Sequence, residues 1–348
     1  MKSSPTGTKT LVIRFSALGD VALLVPVVKE FLNQYPDEEL VLLSNKQYAD
    51  LFADINRLEF IGADLGGKHK GIIGIVKLFN ALRKQFNIIS VADMHGVLRT
   101  HLLRFLFKVA RKKTALIDKG RFEKFALTRK GSKIFRPLPH TTERYRQVFA
   151  ELGFNRAIMN HTGATLVSSS KKTSVRHIKI GFAPFAKHVA KMYPLDMFKT
   201  VVSHFDKEGY QLYFFCGGGA EKRIVSDWVN YFKHVVPIEN GLSIGQELAI
   251  MTTLDVMVSM DSANMHLASL CNIPVVSVWG ATHPFAGFYG YNQDISNAVQ
   301  VNLPCRPCSV FGNKSCWRDD YACMNQIAPQ MIIDKIESIL LRNEVTQL

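Results

Sequence analysis

The chain has 348 residues, 47% of them hydrophobic, with a formal net charge of +14. That length suits about two domains, and that apolar content excludes a disordered chain. No window holds 18 uncharged apolar residues, and Arg14 and Asp20 break the apolar stretch that begins at Leu11. Neither a transmembrane helix nor a secretory signal is expected, which predicts a cytoplasmic protein.

Strand-like and helix-like runs alternate along the sequence. "TLVIRF" (10–15) is a short buried-strand pattern, and helical spacing follows over 21–35. Gly19 lets the chain bend at the strand end. Asp20 then serves either as a helix cap or as a carboxylate facing a ligand. Next come a strand at 39–44, a helix at 74–86, a strand at 87–93, a basic amphipathic helix at 96–110, a strand at 113–118 and a helix at 141–153. Residues 1–175 carry 29 Lys and Arg against 14 Asp and Glu, whereas 176–348 carry 14 against 15. The excess peaks at 99–146, with 15 basic and 3 acidic residues. Such a field attracts phosphate-rich partners: nucleic acid, anionic lipid or anionic glycan.

A polar, Ser-rich and basic stretch at 165–177 reads as a linker. The alternation then restarts: strand 178–185, helix 195–208, strand 210–218, helix 221–232, a strand near "VVPI" (235–238), helix 244–253, strand 254–260, strand 274–280 and a C-terminal amphipathic helix at 329–343. Strands alternating with helices imply parallel βαβ units. The fold class is α/β, with two Rossmann-like, doubly wound parallel-sheet domains, 1–170 and 171–348, facing a central cleft. Ligands are expected at the carboxyl ends of the strands.

The second half carries three loops of chemical interest. "GFAPFAKHVAKMYP" follows a strand and brings Lys187, His188 and Lys191, which as point charges suit a phosphate. "CGGGAEKR" places glycines between a strand and a helix, where backbone N–H groups approach a ligand. Lys222 breaks the dinucleotide fingerprint there. "VSMDSANMHLASLCNIPVVSVWGAT" (258–282) runs a strand into a tight turn. Asp261 starts that turn, Ser262-Ala263-Asn264 offer N–H groups at a helix N-terminus, and His266 follows in the first turn. A helix-capping Asp261 and a packed His266 are the alternative. Cys216 and Cys271 sit in apolar runs as core thiols. Cys305, Cys308, Cys316 and Cys323 have C-x2-C-x7-C-x6-C spacing, and two readings stay open: structural zinc, or reduced thiols in a compact loop.

Taken in order, these motifs resemble glycosyltransferase family 9, the bacterial heptosyltransferases of lipopolysaccharide core assembly. "RFSALGDVALLVPVV" is similar to the family's opening strand–turn–helix with its Gly-Asp. "KMYP" resembles its Lys-x-Trp-Pro. "VSMDSANMHLASLCNIPVVSVWGATHP" resembles its Asp-Thr-Gly-x-x-His-Leu-Ala segment with the following Pro-Val and Gly-x-Thr. "CRPCSVFGNKSCWRDDYACM" resembles a cysteine pattern common in the family. The likeness spans residues 11 to about 340. It implies a GT-B fold, with acceptor bound by the first domain and nucleotide-sugar by the second, and an inverting transfer that needs no metal. Asp20 matches the base proposed for the acceptor hydroxyl. Lys191 matches the diphosphate lysine, and Asp261, Ser262, Ala263 and His266 match the nucleotide-sugar segment. Gly218, Glu221 and Leu242 complete the candidate donor-binding set. Ser262 stands for Thr, Ala263 for Gly and Tyr193 for Trp, so no charged group is lost.

The resemblance implies ADP-heptose as donor and an anionic inner-core glycolipid as acceptor, met at the cytoplasmic surface of the inner membrane. Arg99, Arg104, His140, Arg144 and Arg146 are the candidate acceptor contacts within the basic segment. Two rivals use parts of the same pattern. A nucleotide-sugar epimerase shares the two-domain plan but gives the basic half no role. A nucleic-acid-binding protein uses the charge but neither Asp20 nor the anion-binding turn, and the aromatic-interleaved basic motif of RNA platforms is missing. No nucleic-acid partner is expected.

Overall fold

The computed structural model describes residues 7–155, 177–238 and 241–345. The described chain clusters into two compact units: Met1–Lys119 with Thr141–Ala164, and Gly120–His140 with Thr165–Leu348. Apart from His177, the expected linker at 165–177 lies outside the described residues. Among the described residues no helix is long and apolar enough to cross a membrane.

In the first unit, β1 (Lys9–Ile13), α1 (Leu18–Gln34), β2 (Glu39–Asn45), β3 (Leu58–Ala63), α2 (Gly71–Gln85), β4 (Ile88–Asp93), α3 (Leu98–Val109) and β5 (Lys113–Leu116) follow in order. The segment Gly120–His140, which holds α4 (Arg121–Thr128), belongs to the other unit, and α5 (Thr141–Glu151) returns to the first. All strands pair in parallel in the order β3-β2-β1-β4-β5. The central strands are apolar over Leu11–Ile13 and Leu40–Leu43 and buried on both faces there, as a sheet covered by crossover helices requires. Leu11, Ile13, Val41 and Leu43 face the helices α2 and α3 through Ile75, Leu78, Leu103 and Phe107. α1 is apolar around most of its circumference and is correspondingly buried. It packs on α5, where Phe31 stacks on Phe149 with ring centroids 4.3 Å apart.

The second unit continues with β6 (Lys179–Ala183), α6 (Leu195–Lys207), β7 (Gln211–Phe214), α7 (Ala220–Tyr231), α8 (Ile244–Met251), β8 (Val256–Met260), α9 (Ala263–Leu270), β9 (Val275–Val278), β10 (Ala298–Val299), α10 (Ala322–Asn325) and α11 (Pro329–Val345). Its sheet is again parallel, in the order β10-β9-β8-β6-β7. The strand expected near "VVPI" is reduced to a single bridge between Leu212 and Val235. Pro237 has no N–H to extend it. The excursion Gly120–His140 is held by contacts within this unit. The Leu138 N–H donates to the Phe285 carbonyl at 2.9 Å, Phe135 packs on His283 and Phe285, and Lys133 Nζ donates to the Pro307 carbonyl at 2.8 Å.

One buried ion pair joins α5 to α1. Arg146 Nε and Nη2 donate to the two Glu30 oxygens at 2.9 Å each, and both residues are buried. Arg146→Ala should strand that carboxylate and lower stability by about 3 kcal/mol or more. Glu30→Leu with Arg146→Met should recover most of the loss. Urea melts of the three chains check this, and a single variant as stable as the parent would remove the pair from the account.

Candidate active site

In a doubly wound sheet the crossovers leave in opposite directions where the strand order reverses, and a crevice opens at the carboxyl ends of those two strands. In the first unit this switch point lies between β1 and β4. Asp20 follows β1, in the first turn of α1, while Asp93 ends β4 and Met94 and His95 follow it.

Asp20 is held from three sides. Arg14 Nη2 meets its Oδ2 at 2.5 Å, and the Ala17 N–H points to the same oxygen at 3.4 Å. The Tyr145 hydroxyl donates to the Asp20 main-chain carbonyl at 3.0 Å. Arg14 is itself buried, donates to the Met94 carbonyl at 2.7 Å and lies over the Tyr145 ring. The Asp20 side chain retains 24% of its exposure, so it is anchored and still reachable.

His95 lies beside this pair. Its Nδ1 faces the Phe15 N–H at 3.4 Å, which leaves Nε2 as the protonated nitrogen of the neutral ring, 3.5 Å from the Ser16 hydroxyl. Burial, then the charges of Arg14, Lys119 and Arg99, push its pKa down to about 4, against an opposing pull from Asp20. Three cations therefore act on one imidazole beside Asp20, in a crevice suited to an anionic group. Arg14, His95, Lys119 and Tyr145 were not singled out from sequence. Arg14 hides in an apolar strand run, and Tyr145 is 125 residues from Asp20.

The five basic residues expected to hold an acceptor divide between the two units and differ in burial. Arg99 is exposed on the first turn of α3. Arg104 Nε points back to Asp93 Oδ2 at 3.8 Å, while Asp93 Oδ1 accepts from the His95 and Gly96 N–H groups. Arg144 is buried, and its Nη1 donates to the Asp118 carbonyl at 3.2 Å. His140 Nε2 lies 2.7 Å from the Tyr289 carbonyl, within the second unit. Arg146 is corrected outright: it is a buried structural partner of Glu30 and not a surface contact.

In the second unit the switch point lies between β6 and β8. A one-turn 3₁₀ helix after β6, Val189–Lys191, brings Lys191 Nζ to 3.0 Å from Asp261 Oδ2 at the end of β8. Lys187, on the same loop, is exposed. The turn is latched from behind by the Ala281 N–H, which donates to the Ala190 carbonyl at 3.1 Å. Gly312, at φ +74°, packs against the stem of Lys191, where a Cβ would collide with Cγ and Cδ. Ser262 is the extended N-cap of α9 and makes no side-chain cap, its hydroxyl facing Ser259 at 3.2 Å. First-turn N–H groups of α9, from Ala263 onward, thus join the Lys191 ammonium as donors for an anion. His266 is buried in the same turn.

The remaining candidates lie in this unit's loops. Gly218 is open to solvent, and Glu221 Oε2 accepts from the Gly217 N–H at 2.7 Å, closing the glycine run on the first turn of α7. Leu242 is half-buried before α8.

The four clustered cysteines all line one small cavity beside the buried Arg306. Burial pushes the Cys323 thiol up to about 11 and also raises Cys308. Arg306 is bonded to the carbonyls of Gly280, Trp279 and Thr282, tying this loop to the end of β9. No set of three or more His, Cys, Asp or Glu side chains among the described residues is arranged to hold a metal.

Two Rossmann-like units, one with an anchored carboxylate at its switch point and the other with a lysine paired to the aspartate just ahead of a helix, have the architecture of the GT-B class. The chain belongs to glycosyltransferase family 9 (heptosyltransferase), whose model matches residues 75–316. It is 25% identical over 282 residues to lipopolysaccharide heptosyltransferase 3 of Escherichia coli, covering 76% of this chain and 80% of that one. A family 9 glycosyltransferase from Veillonella parvula superposes with a TM-score of 0.71 at 19% identity, over 98% of this chain and 99% of the other. Escherichia coli ADP-heptose LPS heptosyltransferase II gives 0.67 at 17%, over 97% and 99%.

The state of His95 sets an acid dependence. Its pKa in the folded chain lies below the unfolded value of about 6.5, so the unfolded chain binds more protons between about pH 4 and pH 6.5. Stability falls as pH drops through that window. His95→Asn should shallow the slope without abolishing it, because burial and Arg306 push His283 down to about 4 as well. Urea midpoints at pH 5 and pH 7.5 measure this; identical slopes would show that His95 does not titrate there.

Proposed function

We propose that this glycosyltransferase moves a heptose from ADP-heptose to an anionic lipopolysaccharide inner-core acceptor. It does so without a metal, with inversion at the anomeric carbon, and peripherally on the cytoplasmic face of the inner membrane. The observation that carries the proposal is the pairing of chemistry with topology. The carboxylate and the phosphate-type lysine each stand at the switch point of their own sheet. The names of the relatives agree with the donor and the acceptor class.

Each step has a residue of this chain. The acceptor hydroxyl oxygen attacks the anomeric carbon from the face opposite the diphosphate. Its proton passes to Asp20, held in place by Arg14 and the Ala17 N–H. The bond from the anomeric carbon to the diphosphate oxygen breaks, and the electron pair leaves with ADP. Lys191 and the N–H groups at the start of α9 stabilise that developing charge. In the free chain Asp261 keeps the ammonium in place, and an arriving diphosphate shares it. Arg99 and Lys119, beside His95, supply positive charge for the anionic acceptor.

Asp20→Asn should lower turnover by roughly 10²- to 10⁴-fold, the usual worth of a positioned base, with ADP affinity unchanged. Unaltered turnover would dismiss Asp20 as the base. Lys191→Ala should weaken ADP by about 10- to 100-fold, the loss expected for a charged hydrogen bond. Calorimetric titration with ADP, UDP and GDP in the presence of EDTA measures both donor preference and metal independence. A preference for UDP or GDP would replace the donor, and binding that vanishes with EDTA would reject a metal-free site.

A further inference from the structure

The outward face of α3 is apolar. Thr100, Leu103 and Phe107 face the core of the first unit, yet Leu98, Phe105 and Val109 are 88%, 59% and 66% exposed. A surface helix ordinarily turns charge outward along such a stripe. This one runs the length of the helix, about 16 Å at 1.5 Å per residue. α2 packs beside it, through Phe79 on Phe107, and adds Ile72 and Ile73 at 72% and 73% exposure.

The charge around this stripe is mainly of one sign, with exposed Asp64 and Asp118 just beyond it. From residue 65 to 117 there are eleven lysines and arginines and a single carboxylate, Asp93. Asp93 is fully buried. The exposed cations include Arg99 and Lys108 on α3, Arg111 just past its end, and Lys68 and Lys70 ahead of α2. Exposed apolar side chains bordered by Lys and Arg, on a helix lying flat, are what an anionic lipid interface takes up. A protein partner would need an acidic rim around an apolar groove of matching length, whereas an anionic bilayer offers both at once.

Position supports the same occupant. In a parallel sheet each crossover helix starts at the carboxyl end of the strand before it. Leu98, Ile72 and Ile73, the most exposed of the five, lie at the N-terminal ends of α3 and α2. They therefore stand at the same end of the sheet as Asp20 and His95.

We infer that the α2–α3 face is the membrane-docking surface of this enzyme, with Leu98, Phe105 and Val109 entering the headgroup region of an anionic bilayer. The inference rests on the reading of the acceptor as a glycolipid and names the surface that meets it. Docking here holds the acceptor's lipid in the bilayer while its sugar reaches the crevice at Asp20.

The test is sedimentation of the full chain with vesicles of phosphatidylethanolamine and phosphatidylglycerol at 3:1, against phosphatidylcholine alone. The parent should bind the anionic vesicles and lose binding as salt rises. The triple variant Leu98→Ser/Phe105→Ser/Val109→Ser should partition at least ten-fold more weakly, with ADP affinity and urea midpoint unchanged. Lys108→Glu should weaken binding to anionic vesicles alone. Equal partition of parent and triple variant, or no binding by the parent, would overturn the docking surface. So would dimerisation abolished by the triple variant in a chain that ignores vesicles. The donor titration is independent of all these arms. A chain that prefers UDP but docks through α3 would lose the heptose reading and keep this one, and a chain that binds ADP but ignores lipid would do the reverse.

Discussion

A parallel sheet whose strand order reverses must part its crossover loops at one place. That constraint organises both halves of this chain. Between β1 and β4 the register pairs Ile13 with Asp93, and between β6 and β8 it pairs Ala183 with Ser259. The strands are buried on both faces, so slipping a register would turn a whole row of side chains to the wrong face. The loops beyond these strands inherit that rigidity. Asp20 and His95 therefore face one another's surroundings through no local sequence relation, and Lys191 reaches Asp261 across 70 residues for the same reason.

The charges at both crevices are held by partners that also limit them. A buried guanidinium such as Arg14 is costly unless it is paired and hydrogen-bonded; Asp20, Met94 and the Tyr145 ring meet most of that need, and Nε is left without a hydrogen-bond partner. The same contacts fix the carboxylate in one orientation, which favours proton transfer through geometry over intrinsic basicity. Lys191 faces a comparable compromise. Asp261 keeps a flexible side chain in place, and the absence of a side-chain cap at Ser262 leaves the helix donors to a ligand. Gly312 matters here because the lysine stem occupies the space a side chain would take.

Much of this was legible in sequence, for a physical reason. Central parallel strands are continuous apolar runs, and the helices between them carry a 3.6-residue stripe, so the alternation is visible without any partner being known. The failures are as specific. β3 is an edge strand, "LEFIGA", with mixed burial and one fully covered residue, and it lacked a run to detect. α4 is short and amphipathic, and its place in the second unit depends on distant contacts such as Lys124 over the Phe288 ring, Phe135 on Phe285 and the Leu138 N–H to the Phe285 carbonyl. Asp20, Lys191 and Asp261 could be picked out because each lies in the loop, turn or first helical turn that comes after a strand. Arg14 and His95 could not, since nothing in an apolar strand or a Met-His-Gly turn says which distant group it will meet.

The basic segment shows the limit of reading charge as a single field. Fifteen cations between residues 99 and 146 look alike in the sequence. In the fold they separate by what surrounds them. Arg146 is neutralised within the core by Glu30, and Lys133 caps backbone carbonyls in the second unit. Arg99 and Lys119 bear on the His95 crevice. Lys108 and Arg111 stay outside, beside aliphatic residues that a soluble surface would ordinarily cover. Burial decides among these roles because a cation paired with a buried carboxylate has little field left for a partner, whereas an exposed and unanswered one still acts within about a Debye length. A net positive sequence therefore attracts a polyanion only through the residues left over after folding, and here those residues lie next to exposed hydrocarbon. That combination separates a lipid surface from a nucleic acid, which would demand the charge without the apolar stripe.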